Sequence, residues 1–183
     1  MRKITVPIIL GFLCLVGNLN AQNLPINSST GKVTWLEVVE TKGMAAADLF
    51  QVLNEWCLAQ GFHEKSKDAT ALEAVYEGNI PMEYTSTKSG KNDKAKVNFT
   101  YSFFCKEGKY RYIATDFVHE GVDGAANGGK LESQQPECGR GGMVPGNWVT
   151  VKNKTLGQMN GWIQNMKKKV TEVNNDPAKK KDW

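Results

Sequence analysis

The stretch that decides the fold is "VNFTYSFFCKEGKYRYIATDF", residues 97–117. Apolar and polar residues alternate on both sides of the short run "KEGK", as they do in two antiparallel strands joined by a tight turn. With that turn, Cys105 lies opposite Tyr110 and Phe103 lies opposite Tyr112. One face of this hairpin is therefore apolar, and we expect it to pack beneath helices.

Alternation continues the apolar face along the hairpin, through the pairs Tyr101/Ala114 and Val97/Val118. Asp116 is the one misfit, because alternation places its carboxylate among apolar residues opposite Phe99. The opposite face of the hairpin holds a mixed set of residues: Thr100, Ser102, Phe104, Arg111, Ile113, Thr115, Phe117 and His119. The preceding strand adds to this open face Glu73, Val75, Glu77 and Glu83.

Two more segments predict strands. "LEAVYEGNIPMEY" (residues 72–84) alternates like the hairpin, and its Gly78 and Pro81 mark a bulge or an edge. "KVTWLEVVET" (residues 32–41) is rich in β-branched residues and predicts the first strand.

Two segments predict helices. Apolar residues at helical spacing between Ala45 and Gly61 indicate the first, and His63 follows in a polar turn. Thr155 and Gln158 resemble a capping box at the start of the second. Its apolar stripe is formed by Leu156, Met159, Trp162, Ile163, Met166, Val170 and Val173. The order β-α-β-β-β-α predicts an α+β fold, a mainly antiparallel curved sheet with two helices on one face.

A strand, a helix with the late Trp56, a hairpin closing in "GKYRYIATDF" and a long final helix, all behind a signal peptide, resemble one family. It is the domain of unknown function with a TATA-binding-protein-like (TBP-like) fold, which is common among exported proteins of Gram-negative bacteria. The resemblance covers Lys32 to Val173. It implies a fold and no activity, because its motifs carry no catalytic signature.

The first 21 residues have the parts of a secretory signal: a positive start at Arg2 and Lys3, an apolar run over 4–16, and the small residue Ala21 at the cut. The apolar run is too short to span a membrane. We therefore expect export to the periplasm or the medium, with no transmembrane segment.

Removal of the leader divides the rest of the chain into a polar lead-in (22–31), a single domain (32–173) and a basic tail (174–183). It also lowers the formal charge from +4 to about +2, since Arg2 and Lys3 leave and no acid does. Neither this charge nor an exported location favours a nucleic-acid partner, and solubilising charge accounts for the lysine runs.

The glycine-rich segment, residues 120–147, holds eight of the 18 glycines and has no hydrophobic period. Its "GAANGGK" matches most of a phosphate-binding loop, but Leu131 stands where Ser or Thr is needed and no helix follows directly. We predict a flexible connection or a family-variable insert.

His119 and Glu120 raise the question of a metal site. Neighbouring residues on a strand point to opposite faces, and Asp123 stands where a zincin helix would carry its second histidine. We predict no metal ion, no cofactor and no catalytic residue.

Three cysteines remain after the leader. Cys57 and Cys105 fall on core faces, whereas Cys138 is expected to be exposed, and a disulfide or an idle thiol is favoured there over a catalytic role. There is no C-x-x-C pair, and both the pairing of the cysteines and the oligomeric state stay open.

The open face carries the functional hypothesis. Phe104, Ile113 and Phe117 make it more apolar than a solvated sheet face needs, with Arg111 and His119 beside them. We predict a non-enzymatic binding module that recognises a protein, a peptide or a cell-envelope component through these five residues. A cover formed by the glycine-rich segment or the basic tail would explain the same residues.

The alternative function is a small cell-envelope hydrolase that uses His119 with Asp116, Glu120 or Asp123. A cleft with converging titratable groups would favour it. A proteinase inhibitor of cystatin type ranks third, because the Q-x-V-x-G hairpin is absent.

Overall fold

The computed structural model describes residues 23–85, 90 and 92–176. The predicted leader, residues 86–89 and 91, and residues 177–183 of the basic tail lie outside the described residues.

The described elements are β1 Trp35–Glu40, α1 Ala46–Ala59, β2 His63–Asp68, β3 Glu73–Thr85, β4 Asn92–Lys106, β5 Lys109–Gly121, β6 Gly129–Lys130, α2 Gly139–Gly142 and α3 Pro145–Asn174.

The strands form one antiparallel sheet in the order β1-β5-β4-β3-β2, and the short β6 pairs with β5 beyond the end of β1. Helices α1 and α3 contact each other and pack on the same face of this sheet. The predicted α+β architecture is therefore confirmed. Two strands were missed, because β2 is polar throughout and β6 has only two residues.

The core lies between the sheet and the two long helices, and aromatic rings dominate it. Phe62 makes edge contacts with the rings of Trp56, Phe99 and Trp162, at centroid distances between 5.1 and 5.7 Å. A hydrogen bond from Trp56 Nε1 to Asn165 Oδ1, at 2.9 Å, ties α1 to α3. Among the described residues, neither long helix packs on the opposite face of the sheet.

The β4–β5 hairpin has the predicted register near its turn, where Cys105 pairs with Tyr110 and Phe103 with Tyr112. Gly108 forms the turn with φ of 68°, a conformation that glycine adopts without steric cost.

Further along β5 the register shifts. Asn98 pairs with Val118 but Thr100 pairs with Thr115, so the single residue Phe99 opposes two residues of β5. Asp116 takes the left-handed φ of 58° that such a bulge requires. The bulge reverses which residues of β5 face the core, because side chains alternate with a period of two.

Gly78, on the neighbouring strand, leaves room for the side chain of Phe99 opposite the bulge. It pairs with Phe99, and a Cβ added to it would lie 2.3 Å from Cζ of that ring. The missing side chain therefore gives the Phe99 ring the space in which it lies.

The glycine-rich segment is folded against the sheet, contrary to the predicted flexible connection. Leu131 and Met143 are almost fully buried, and Leu131 N donates to the carbonyl of Phe117 at 3.0 Å. Gly128 sits so close to Trp148 and His119 that a Cβ there would lie 2.5 Å from the indole. Sequence periodicity missed this packing because single apolar residues, rather than a repeating face, make it.

Helix α3 starts ten residues before the predicted capping box. Pro145 occupies its first turn, where the fixed φ of proline suits a helix, and Trp148 and Val151 extend the buried stripe backwards. Thr155 is an interior residue whose hydroxyl donates to the carbonyl of Val151 at 2.9 Å. No helix among the described residues is long and apolar enough to cross a membrane.

Candidate functional site

The candidate site is the sheet face opposite α1 and α3. Its half nearest the β4–β5 turn is apolar, because the register aligns Val38 with Arg111 and Phe104, and Leu36 with Ile113 and Ser102. We call five residues of this half the apolar patch: Leu36, Val38, Val75, Phe104 and Ile113.

The apolar patch is open to solvent. Leu36 and Val38 are each 52% exposed, which is high for large aliphatic side chains in a sheet. Phe104 and Ile113 are half-buried beside them. Two shallow depressions, of about 320 Å³ around Val38 and about 190 Å³ around Ile113, adjoin Phe104.

Cations border the larger depression: Lys106, Lys109 and Arg111. Lys106 Nζ lies 5.3 Å from the centroid of the Phe104 ring, within cation–π range. The patch therefore combines an apolar floor with a positive border, which suits an apolar partner carrying acidic groups.

The other half of the open face is polar. A groove of about 480 Å³ crosses it between β3, β4 and β5. Ion pairs span it, with Lys32 on Asp116 at 2.5 Å, Lys65 on Glu77 at 2.6 Å and Lys96 on Glu120 at 3.4 Å. These exposed charges satisfy one another across the groove.

The structure places three of the five predicted site residues, Phe104, Arg111 and Ile113, on the open face. The predicted placement of Phe117 and His119 was wrong, since both are buried on the core side, at 1% and 0% exposure. The cause is the bulge at Asp116, which shifts the alternation of β5 by one residue.

The same bulge resolves the Asp116 misfit. Its carboxylate, expected in the core, lies on the open face and accepts a hydrogen bond from Lys32. This contact raises the pKa of Lys32 above its ordinary value, chiefly through the hydrogen bond from the ammonium to the carboxylate.

His119 lies beneath the glycine-rich segment. Its Nδ1 accepts a hydrogen bond from the Gly128 amide at 3.0 Å, and the rings of Tyr84 and Trp148 lie 5.7 and 6.0 Å away. Burial lowers the pKa of His119, because the charged imidazolium would lose its water. The ring is therefore a neutral part of the core.

This position gives no support to the hydrolase hypothesis. Asp116 and Glu120 pair with lysines on the open face, and the sheet separates them from His119. An external substrate has no path to a fully buried imidazole in this conformation. Among the described residues, no three His, Cys, Asp or Glu side chains group closely enough to hold a metal ion.

The three thiols are free and lie at different depths. Cys57 and Cys105 are buried as predicted, and Cys138 is partly exposed. Burial raises the pKa of the Cys57 thiol and raises that of Cys105 to about 12. Neither buried thiol is a ready nucleophile.

Leu36 and Val38 are the site residues that sequence reasoning missed. The signal was present in "WLEVVE", where both residues alternate with Trp35, Glu37 and Val39. No face was assigned to this strand from its sequence, because "WLEVVE" has apolar residues on both of its faces.

Three comparisons with known proteins show what this chain is similar to. Residues 35–120 match the model of the family described as "Domain of unknown function (DUF4468) with TBP-like fold". A search of the curated proteins gave no match.

Two solved structures are similar in fold. One is a TBP-like protein from Parabacteroides distasonis, with a TM-score of 0.60 and 14% identity over 80% of this chain and 96% of that one. The other is a DUF4468 family protein from Bacteroides ovatus, with a TM-score of 0.53 and 14% identity over 87% of this chain and 93% of that one.

The matched residues run from the start of β1 almost to the end of β5 and contain the β4–β5 hairpin from which the resemblance was drawn. The family resemblance is thereby confirmed: over residues 35–120, this chain carries the domain of unknown function with a TBP-like fold.

Proposed function

We propose that this protein is an exported, non-enzymatic binding module that recognises a protein, a peptide or another cell-envelope component through the apolar patch. The observation that carries the proposal is the exposure of Leu36 and Val38 in one continuous surface with Phe104 and Ile113. Each is a side chain that would gain free energy by leaving water, at roughly 25 cal/mol per Å² of apolar surface buried.

The positive border indicates the chemistry of the partner. Lys106, Lys109 and Arg111 border the larger depression beside Phe104, so a partner with an apolar contact surface and carboxylates on that side complements the patch in both respects. The export of the protein is proposed from the leader at residues 1–21 and places such partners in the cell envelope or the medium.

Native mass spectrometry of the protein, purified from the periplasm without reducing agent and mixed with an envelope extract, tests the proposal. The bound component is identified by mass, isolated and titrated against three proteins: the wild type, a Phe104→Ser/Ile113→Ser double variant, and Thr100→Ala. Thr100 pairs with Thr115 on the same face outside the patch, so its variant is the matched control.

We expect the double variant to weaken binding by roughly tenfold or more, as for the loss of an interface hot spot, and the Thr100 variant to bind like the wild type. Equal affinity of all three proteins, or turnover of the component instead of binding, would overturn the proposal.

A further inference from the structure

The two edges of the sheet differ sharply in chemistry. The outer edge strand β2, "HEKSKD", is exposed at every residue, carries charges of both signs and has an irregularity between Glu64 and Ser66. Charges and bulges are the devices that keep an edge strand from pairing with another chain. The opposite edge strand, β1, has none of them at Leu36 and Val38.

The hydrogen bonds of β1 show which backbone groups point outward. Thr34 N donates away from the sheet to the carbonyl of Pro25, whereas Thr41 N donates inward to Gly108. Because this direction alternates along a strand, the N–H and C=O groups of Leu36, Val38 and Glu40 point outward. In the described part of the chain, no backbone partner lies beyond them.

One of the two charges of β1, that of Glu37, is already matched within the protomer. Glu37 accepts hydrogen bonds from Lys167, at 2.6 and 2.7 Å, and from Tyr112, and the Lys167 bond is the main cause that lowers the pKa of Glu37. Glu40 lies in register with Lys109. The stretch from Leu36 to Val38 is therefore apolar and its one charge is paired, which favours a neutral partner strand there.

We propose that two copies of this chain pair antiparallel through the outer edges of β1, with the twofold axis at Val38. In this register Val38 faces Val38 of the second copy, and Leu36 faces Glu40. All three outward-pointing residues of each copy then gain backbone partners, and no like charges oppose each other. If one strand slides by two residues, the twofold axis moves from Val38 to Glu37, and the Glu37 residues of the two copies then face each other.

Two further features favour a second copy over other occupants. Pairing about Val38 joins the two apolar patches into one surface, because Leu36 and Val38 adjoin the axis in both copies. In addition, one unguarded edge and one guarded edge per chain give a closed dimer instead of an open fibre. The two proposals share Leu36 and Val38 but are tested separately, because pairing depends on the backbone edge of β1 whereas the binding test changes Phe104 and Ile113.

Light scattering coupled to size-exclusion chromatography over a dilution series tests the pairing. We expect the wild type to have twice the protomer mass. Because residue 38 faces itself across the axis, Val38→Lys and Val38→Glu should each be monomeric through like-charge repulsion, and an equimolar mixture should recover the dimer mass. Val38 is 52% exposed, so the protomer has room for either side chain.

The matched controls are Ser66→Lys and Ser66→Glu, which place the same charges on the guarded edge β2. Both should remain dimers. A monomeric wild type, Val38 variants that stay dimeric, or a mixture that fails to associate would each overturn the proposal. Circular dichroism of each variant shows that a change of mass is not caused by unfolding.

Discussion

The two halves of the β4–β5 hairpin are built from the same kind of alternating sequence, but the residues of β5 that face the core are even-numbered in one half and odd-numbered in the other. From the turn to Ala114, even-numbered residues of β5 face the core; beyond Asp116, odd-numbered residues do. The three predicted pairs nearest the turn have the expected register, whereas at the far end Val97 pairs with His119 instead of Val118. One residue with a left-handed backbone is enough to assign a different face to the rest of a strand.

The comparison is tested most strongly at the two phenylalanines that alternation placed on one face. Phe117→Ala should cost about 3–5 kcal/mol of unfolding free energy, because it empties a buried site against Trp35 and Phe99. Phe104→Ala, on the open face, should cost about 1 kcal/mol or less. Urea denaturation measures both, and equal losses would mean that the bulge does not turn Phe117 inward.

A substitution at Gly78 tests whether the Phe99 ring needs the space that the missing side chain of this glycine leaves. Gly78→Ala should lower the free energy of unfolding by about 1–3 kcal/mol, because its Cβ would overlap the Phe99 ring. In a Phe99→Leu background the same substitution should cost markedly less, which a double-mutant cycle detects. Additive losses would show that the ring and the glycine are not coupled.

The burial of His119, in the part of β5 beyond the bulge, also makes the stability of the protein depend on pH. Burial lowers the folded-state pKa of His119 below the unfolded value near 6.5, so the unfolded chain binds the proton more readily. The stability contributed by the neutral His119 ring is therefore complete above pH 6.5, and it is lost as the pH falls toward and through the lower folded-state pKa. Denaturation midpoints between pH 8 and 5 should fall less steeply for His119→Gln than for the wild type.

Substitution of His63, the other histidine, is the control for this profile, because it lies on the exposed strand β2. A wild-type slope that persists in His119→Gln and disappears in His63→Gln would contradict the assignment to His119.

The smallest expected effect isolates the backbone of the bulge itself. Asp116→Gly and Asp116→Ala both remove the carboxylate from Lys32, but only alanine carries a Cβ into the left-handed φ of 58°. The alanine variant should therefore be less stable than the glycine variant by about 1 kcal/mol. Equal stabilities in thermal denaturation would show that residue 116 relaxes to an ordinary extended conformation.

The sequence predicted those parts of the fold that repeat. Alternation in β3 and in the near half of the hairpin, and the stripe of α3 from Leu156 to Val170, were read correctly because many residues report the same face. These elements also located Phe104, Arg111 and Ile113 on the open face.

Features determined by single residues were missed. The left-handed Asp116 has no repeating signature, although its misfit among apolar neighbours marked the place. Leu131 and Met143 join the core from an irregular segment, and β2 is a strand only because the edge of β3 offers it hydrogen bonds. Each depends on contacts distant in the sequence, which a local pattern does not report.

The three free thiols, two buried and one partly exposed, can report the order in which parts of this protein open. A thiol-specific reagent reaches a buried cysteine only when the surrounding structure opens, so the partly exposed Cys138, in the glycine-rich segment, should react first. Cys57 on α1 and Cys105 in β4 should react on the slower timescale of core opening. The order in which the three sites are modified would therefore map, with no cysteine introduced by mutation, which parts of the domain separate before the whole chain unfolds.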